Sequence, residues 1–151
     1  MKLAELRPKW TIHMVGEAED YQPIEQDNII FHGVLDREEY KQVFQKADVG
    51  IGSLAMHRNY MQEACPLKVR EYLAYGLPVI IGYDDTDFQG NEPFILEVPN
   101  QKNNIKKEIE RIEHFVERWC SQRVSEESIS QIDVQQKESQ RIDLFQSVAQ
   151  R

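Results

Sequence analysis

Five short apolar runs divide the first hundred residues of the chain. They lie at residues 10–15, 28–31, 47–54, 78–82 and 94–98. Short runs of this kind, without strict polar alternation, are typical of strands covered on both faces, which occur mostly in parallel sheets. We therefore expect five strands in a mostly parallel sheet.

Helical periodicity lies between and after these runs. Asp36 and Glu39 form a capping box at the start of the first helix. Pro66 begins the second helix and Gly76 ends it. The third helix carries one apolar stripe, formed by Ile105, Ile109, Ile112, Val116 and Trp119. Beyond Ser125 the chain becomes polar and rich in glutamine, and a weaker terminal helix is expected there.

The alternation of strands and helices predicts an α/β fold, a Rossmann-like, doubly wound and mostly parallel sheet with flanking helices. Residues 1–124 are expected to form one domain, and residues 125–151 a polar helical extension of the same domain. In such sheets, ligands bind at the carboxyl ends of the strands. The segments that follow the strands there are residues 16–20, 32–36, 54–66 and 83–90.

Composition narrows the classes of function. The chain has 151 residues, enough for one domain, and its 18 basic and 26 acidic side chains give a net charge of −8. This charge argues against nucleic acid as a partner, because binding to phosphate backbones relies on clustered lysine and arginine. The two cysteines, Cys65 and Cys120, have no disulfide or metal-site spacing, so we expect a cytoplasmic protein. No apolar run approaches the roughly 20 residues that span a bilayer, which leaves a peripheral position beside a membrane open.

The candidate chemistry is concentrated between residues 54 and 76. Two carboxylates, Glu63 and Glu71, are separated by seven residues. Residues 65–68 between them begin a helix, and the free N–H groups and dipole at such a start favour a phosphate. Carboxylates accept hydroxyl hydrogen bonds, so one can face a sugar and the other a ribose. This arrangement suits a sugar nucleotide.

The basic residues around the two carboxylates have more than one interpretation. Arg58 either contacts a sugar nucleotide or orders its own loop through a salt bridge, and His57 beside it is a poor candidate for a catalytic base. Lys68 in the first helical turn opposes the helix dipole, which indicates an anion nearby. We expect Arg70 to be a surface residue.

Several histidine, cysteine and aspartate residues could be read as catalytic or metal-binding, but we expect them to have structural roles. His13 and His32 lie on or beside apolar runs and are expected in the core or at strand ends. Cys65 has no evident base nearby and is expected to be a small packing residue. A turn, rather than a metal site, is expected from the acidic residues Asp84, Asp85 and Asp87.

The ordered combination of these motifs resembles the glycosyl transferases group 1 family, whose members are retaining glycosyltransferases of the GT-B fold. Glu63 and Glu71 are followed by a short helix that ends in Ala-Tyr-Gly-Leu-Pro-Val-Ile at residues 74–80. Upstream, Val-Gly-Glu at residues 15–17 and Ile-Phe-His-Gly at residues 30–33 follow the family pattern in order and spacing. So does Ala-Asp-Val at residues 47–49. The resemblance covers about residues 3 to 100.

The resemblance implies the C-terminal, donor-binding domain of a retaining glycosyltransferase of hexosyltransferase type. Such an enzyme transfers a sugar from a nucleoside diphosphate sugar to an acceptor hydroxyl, here in glycan or polysaccharide synthesis. By position, Glu63 is the catalytic residue at the donor sugar and Glu71 contacts the ribose. The remaining donor-binding residues implied are Lys68, Cys65, Leu67, Gly33, Val34, Leu35 and Arg58. No metal ion or other cofactor is implied.

Two departures from the family pattern stand out. Pro66 occupies a position where the family commonly has glycine, which removes one N–H donor, and Lys68 is expected to compensate. The resemblance also implies an N-terminal acceptor domain, and a strand upstream of Met1 that supplies an arginine and a lysine for the diphosphate. Residues 3–6 are expected to be the tail of the helix after that strand. The chain alone is therefore expected to have low activity.

Three other hypotheses remain open at the level of sequence. The first is a non-catalytic nucleotide-binding subunit, or a remnant, that needs a separate acceptor-domain partner. The second is a sugar-nucleotide epimerase of GT-B architecture, which the spacing of the two glutamates disfavours. The third is a flavodoxin-like receiver domain, for which a phosphoacceptor aspartate pair at the first strand is lacking.

Overall fold

A computed structural model describes residues 2–17 and 26–149 of the chain. The helices are α1 (Lys2–Leu6), α2 (Arg37–Lys46), α3 (Leu67–Ala74), α4 (Asn104–Lys107), α5 (Ile109–Trp119) and α6 (Val134–Ala149). The strands are β1 (Ile12–Met14), β2 (Ile29–Phe31), β3 (Gly50–Ile51), β4 (Glu63–Ala64), β5 (Val79–Ile81), β6 (Asp84–Asp85) and β7 (Ile95–Glu97). Two 3-10 helices lie at Met56–Asn59 and Glu127–Ile132.

Every strand pair within the described residues is parallel. β1 pairs with β2, β5 lies between β3 and β7, and β4 pairs with β6. With helices between the strands, this confirms the predicted Rossmann-like α/β fold. Five strands fall inside the five predicted apolar runs, whereas β4 and β6 were not predicted. These two short strands form inside the long segments that follow β3 and β5.

The core lies on both faces of β5. Val79 and Ile81 belong to one buried cluster, which includes Val69 and Leu73 of α3. Ile80 belongs to a second cluster, which includes Leu3, Ala4, Ile12, Val98, Ile112 and Phe115. Successive side chains of a strand point to opposite faces, so three consecutive residues serve both clusters. Burying each large aliphatic side chain contributes roughly 1.5–3 kcal/mol.

The ends of α2 and α3 form as the sequence predicts. The Asp36 carboxylate accepts hydrogen bonds from the backbone N–H groups of Glu38 and Glu39, and the Glu39 carboxylate accepts from Asp36 N–H, each at 2.9 Å. Pro66 lies at the N-cap position, directly before the first residue of α3, and makes no side-chain capping hydrogen bond. The helix ends before Gly76, whose φ of +74° lies in the left-handed region that favours glycine.

The predicted single helix over residues 105–119 is interrupted. Glu108 separates α4 from α5 with non-helical angles, φ −101° and ψ 9°. The side-chain amide of Asn104 donates to the carbonyls of Leu54 and Pro99 at 2.8 and 3.1 Å, which fixes the short α4 against two loops. Ile112 and Phe115 are the buried residues of α5, so the predicted stripe omitted Phe115.

The C-terminal part contains a 3-10 helix and α6, in place of one weak helix. Ile129 and Ile132 pack against the first cluster, whereas α6 leaves large apolar side chains exposed. These are Val134, Ile142, Leu144, Phe145 and Val148. Among the described residues, no helix is long and apolar enough to cross a bilayer. The domain boundary at residue 124 stays a prediction.

Replacing Ile81 by alanine should lower the free energy of unfolding by about 2–5 kcal/mol, because the side chain is fully buried and its removal leaves a cavity. Ile142→Ala is the matched control, since Ile142 is 53% exposed on α6 and its loss should cost within about 0.5 kcal/mol. Urea denaturation followed by circular dichroism measures both. Equal losses in the two variants would contradict the assignment of β5 to the core.

Candidate functional site

The start of α3 is the centre of the candidate site. Pro66 is its N-cap residue and offers no side-chain hydrogen bond, and the first turn contains no acidic residue. Leu67 at the first position is 84% exposed, and Cys65 just before the helix is also exposed. The N–H groups at a helix start lack intrahelical acceptors, so an anion is favoured there.

Lys68 is the basic residue in this first turn. The residue is exposed, yet the protein around its ammonium group removes enough water to lower its pKa. Within the described part of the chain, Lys68 is in no ion pair. A cation without a protein counter-charge beside an uncapped helix start makes this position attractive to a phosphate.

Glu71, in the second turn of α3, contacts Tyr40 of α2. A hydrogen bond to the Glu71 carboxylate, reinforced by burial and by its charge, raises the pKa of Tyr40 to about 12. Tyr75 packs edge-on against Tyr40, with ring centroids 6.2 Å apart. These contacts join α3 to α2, and so bring Glu71 to the same edge of the sheet as the loop that precedes α2.

That loop contains the predicted residues Gly33, Val34 and Leu35. Gly33 has a φ of +68°, and its carbonyl accepts from Gly16 N–H at 2.8 Å, which ties the ends of β1 and β2 together. Gly33 and Val34 are exposed, whereas Leu35 is half-buried. The exposed backbone of Gly33 and the exposed side chain of Val34 leave space for a planar ring to pack against this loop.

His13 of β1 and His32, which directly follows β2, lie on and beside the strands as predicted, and their rings stack. Their Nδ1 and Nε2 atoms are 2.9 Å apart and their ring centroids 5.2 Å. Burial, and then the charges of His32 and Lys46, lower the pKa of His13. The pair is therefore a structural link between β1 and β2 at the carboxyl edge.

The loop ahead of Glu63 is held by Asn100, a residue that the sequence analysis missed. The Asn100 side chain accepts from His57 N–H at 2.8 Å and donates to the Met61 carbonyl at 2.7 Å. Tyr60 between them is 95% exposed and has a φ of +54°, which is uncommon for a residue with a side chain. The position of Asn100 just after a predicted strand is the one signal that marks it.

Arg58 and Glu63 are exposed on this loop and on β4. Among residues 2–17 and 26–149, Arg58 forms no ion pair, so the loop-ordering salt bridge is not found there. Glu63 lines a cavity of 250 Å³ together with Asp84, Asp85 and Thr86. Asp84 also lines the neighbouring cavity of 260 Å³, where burial and nearby carboxylates raise the pKa of Glu97.

The prediction that Arg70 is a surface residue is wrong. Its side chain is 14% exposed and forms a two-pronged ion pair with Asp85, whose side chain is fully buried. Its Nε donates to Asp87 at 3.0 Å. Burial lowers the pKa of the guanidinium, but the hydrogen bonds and charges of the two aspartates outweigh it and raise that pKa. Helical periodicity missed these partners because they lie 15 and 17 residues further along the chain.

Cys65 and the acidic segment belong to the same cluster. Cys65 is exposed rather than packed, and its Sγ accepts from Arg70 at 3.1 Å and donates to Asp87 at 3.3 Å. Asp84 and Asp85 form strand β6 rather than a turn. Within the described residues, no group of three or more histidine, cysteine or acidic side chains is arranged to hold a metal ion.

The fold and the motifs define an α/β domain of the glycosyltransferase class. A family model described as "Glycosyl transferases group 1" matches residues 1–115. The chain therefore belongs to the group 1 glycosyltransferase family and is a glycosyltransferase domain of GT-B type. Comparison with curated proteins and with solved structures gave no significant match.

Asp87 should make the stability of the protein depend on pH in the acid range. Burial raises the pKa of Asp87, but hydrogen bonds from Lys137, Cys65 and Arg70 outweigh it and hold that pKa below its ordinary 3.8. The resulting stabilisation is present above the ordinary pKa and is lost as the pH falls through the lower, folded-state value.

Asp87→Asn should therefore cost about 1–3 kcal/mol of unfolding free energy at pH 7, and less as the pH falls below about 4. Urea unfolding at pH 7 and at several values below pH 4 measures this, with Asp143→Asn on the exposed face of α6 as control. A loss that is the same at every pH would show that the Asp87 charge is not what stabilises this cluster.

Proposed function

We propose that this chain is the C-terminal, donor-binding domain of a retaining glycosyltransferase that takes its sugar from a nucleoside diphosphate sugar. The observation that carries the proposal is the arrangement around α3. Its uncapped start bears Lys68, Glu63 lies on the strand just before it, and Glu71 lies in its second turn. An anion site between two carboxylates would match the order sugar, diphosphate and ribose in the donor, which supports the proposal.

In the proposed complex, the diphosphate lies against the start of α3. The backbone near Cys65, Leu67 and Lys68 donates to its oxygens, and Lys68 offsets its charge together with the helix dipole. Arg58 on the preceding loop is a second cation within the same segment. No metal ion is required, because helix dipole and side chains supply the positive charge.

Glu71 receives the ribose hydroxyls, and the base lies along residues 33–35. A carboxylate has about four lone-pair sites, so Glu71 can accept from Tyr40 and from a hydroxyl together. Tyr40 thereby restricts the orientation of Glu71 before the ligand arrives. Val34 offers the base an exposed apolar surface at the same edge.

Glu63 is assigned to the donor sugar. During transfer, the bond from the anomeric carbon to the diphosphate breaks, the acceptor oxygen bonds to that carbon, and the acceptor proton is released. Positive charge develops on the sugar ring, and a carboxylate held beside it stabilises that charge. Catalysis then consists mainly of positioning the donor and the acceptor and of stabilising charge in the cleft between this domain and the acceptor domain.

The acceptor comes from a second domain that closes the cleft, with a glycan or polysaccharide hydroxyl as the receiving group. Exposed apolar side chains at Val34, Tyr60 and Leu67 give this edge a surface for such a domain to cover. The non-catalytic alternative uses the same surface for a separate partner chain. Binding of a donor by the enzyme together with its acceptor domain, without any transfer, would favour that alternative.

Ligand-observed NMR of the purified chain with UDP, GDP, ADP and their sugar conjugates tests donor binding directly. Selective binding of one nucleotide would support the proposal and identify the donor class. No binding of any of them at millimolar concentration, either by this chain or by one that includes the acceptor domain, would refute it.

Glu71→Ala should lower the affinity for a bare nucleotide and for its sugar conjugate equally, by about 10- to 100-fold. Both ligands carry the ribose, and each loses one charge-assisted hydrogen bond. Glu117→Ala, on the exposed face of α5, is the control and should leave both affinities unchanged. Titration by NMR or calorimetry measures the dissociation constants. Wild-type affinity in Glu71→Ala would remove the ribose assignment.

Glu63→Ala should separate the two ligands. The sugar conjugate should lose about tenfold or more in affinity, whereas the bare nucleotide should bind as it does to the wild type, because Glu63 faces only the sugar. The same titrations measure this difference. Parallel losses for both ligands would show that Glu63 does not contact the sugar.

A further inference from the structure

The strand that carries Glu63 is weakly anchored by its own backbone. β4 has two residues and, within residues 2–17 and 26–149, pairs only with β6, with Glu63 opposite Asp84. Asp84 N–H donates to the Gln62 carbonyl at 2.9 Å, and Thr86 N–H to the Ala64 carbonyl at 3.4 Å. A ladder this short is marginal in isolation, so other contacts must hold it.

Arg70 supplies those contacts from the neighbouring helix. Its guanidinium grips the Asp85 carboxylate on β6 with two donors and the Asp87 carboxylate on the following turn with two more. The Asp85 carboxylate also accepts from Asp87 N–H at 3.0 Å, which fixes the turn. The guanidinium carbon lies 5.3 Å from the centroid of the buried Phe88 ring, which limits its movement further.

Lys137 of α6 completes the cluster. Its Nζ lies 2.6 Å from the Asp87 carboxylate, and Gln131 in the 3-10 helix before α6 donates to the Asp87 carbonyl at 3.4 Å. Two cations therefore face two carboxylates, and the cluster is balanced in charge. The C-terminal extension is tied through Asp87 to the same turn that Arg70 holds.

We propose that Arg70 is a positioning residue for the donor sugar: by clamping β6 and its turn to α3, it fixes β4 and so the place of Glu63 relative to the start of α3. This inference rests on the proposed function, which assigns the sugar to Glu63. Lys137 of the C-terminal extension supports this clamp through its ion pair with Asp87, so the extension also helps to position Glu63.

The chemistry of arginine is required for this role. The planar guanidinium presents five N–H donors in a fixed fork, so it can serve two carboxylates and lie over an aromatic ring at once. A lysine in its place keeps the charge but not the fork or the planar stacking. Because the Arg70 side chain is mostly buried, solvent screens its ion pairs less than those at the surface.

The test compares Arg70→Gln, Arg70→Lys and Lys137→Met with the control Arg141→Gln, which removes an exposed ion pair within α6. The first readout is amide hydrogen exchange at Asp84, measured against Gly52, whose N–H donates to Ile80 in the central sheet. The second readout is the affinity of the sugar conjugate relative to the bare nucleotide. Circular dichroism confirms that each variant is folded.

Arg70→Gln should raise exchange at Asp84 by about tenfold or more while exchange at Gly52 stays unchanged. It should also lower the affinity for the sugar conjugate about tenfold relative to that for the bare nucleotide, the same effect that is expected for Glu63→Ala. Arg70→Lys should recover part of both effects, and Lys137→Met should show a smaller change in the same direction. Should Arg70→Gln not fold, Lys137→Met decides with the same two readouts.

The two proposals fail in different ways. Unchanged exchange at Asp84, or equal losses for the two ligands, would overturn the positioning role even where the wild type binds the donor. A wild type that binds neither ligand, both alone and together with the acceptor domain, with Asp84 exchange still responding to Arg70→Gln, would refute the proposed function and leave only the clamp on β4 standing.

Discussion

Burial of β5 on both faces is the constraint on which the rest of the structure depends. Val79 and Ile81 face the cluster that contains α3, and Ile80 faces the cluster that contains α1 and α5. A strand with no face open to solvent must have helices on both sides, which is the physical basis of the Rossmann-like layering. Trp119 at the end of α5 packs against both clusters and so links the two layers at one edge.

The same strand determines where the site lies. At its carboxyl end, Gly82 donates to the Ser53 carbonyl at 3.0 Å, and a side chain on Gly82 would meet the Leu54 backbone at 2.9 Å. The loops that follow β3 and β5 therefore leave the sheet in contact with each other. Their first residues run side by side, and β4 and β6 pair where these loops continue. The location of Glu63 follows from that close approach together with the Arg70 clamp.

Local patterns in the sequence are sufficient for the parts of the fold that depend on near neighbours. The capping box at Asp36, the end of α3 before Gly76 and the five apolar runs each involve residues a few positions apart, and each formed as predicted. The separate short helix α4 was not predicted, and the Asn104 side chain that fixes it bonds to Leu54, a residue 50 positions away. Periodicity contains no information about such a partner.

The candidate site divides in the same way. The positions of Glu63 and Glu71 could be predicted from their spacing in the sequence. Glu63 precedes the predicted helix start, and Glu71 lies in the second turn after it. The partners that orient them do not follow: Tyr40 reaches Glu71 from another helix, and Asp85 reaches Arg70 from an unpredicted strand. A lone arginine on a helix is ordinarily solvated, so only the tertiary structure shows that this one is buried.

The distribution of charge is compatible with the proposed anion site, although the net charge of the chain is −8. The charges of Arg70 and Lys137 are matched by Asp85 and Asp87, so they add little field at the start of α3. Lys68, without an ion-pair partner among the described residues, and the helix dipole remain as the positive elements there. On the other side, Glu63 and Asp84 line one cavity and keep it negative. A donor in the proposed complex meets a positive surface at its diphosphate and a carboxylate at the hydroxyls on either side of it, Glu63 at the sugar and Glu71 at the ribose.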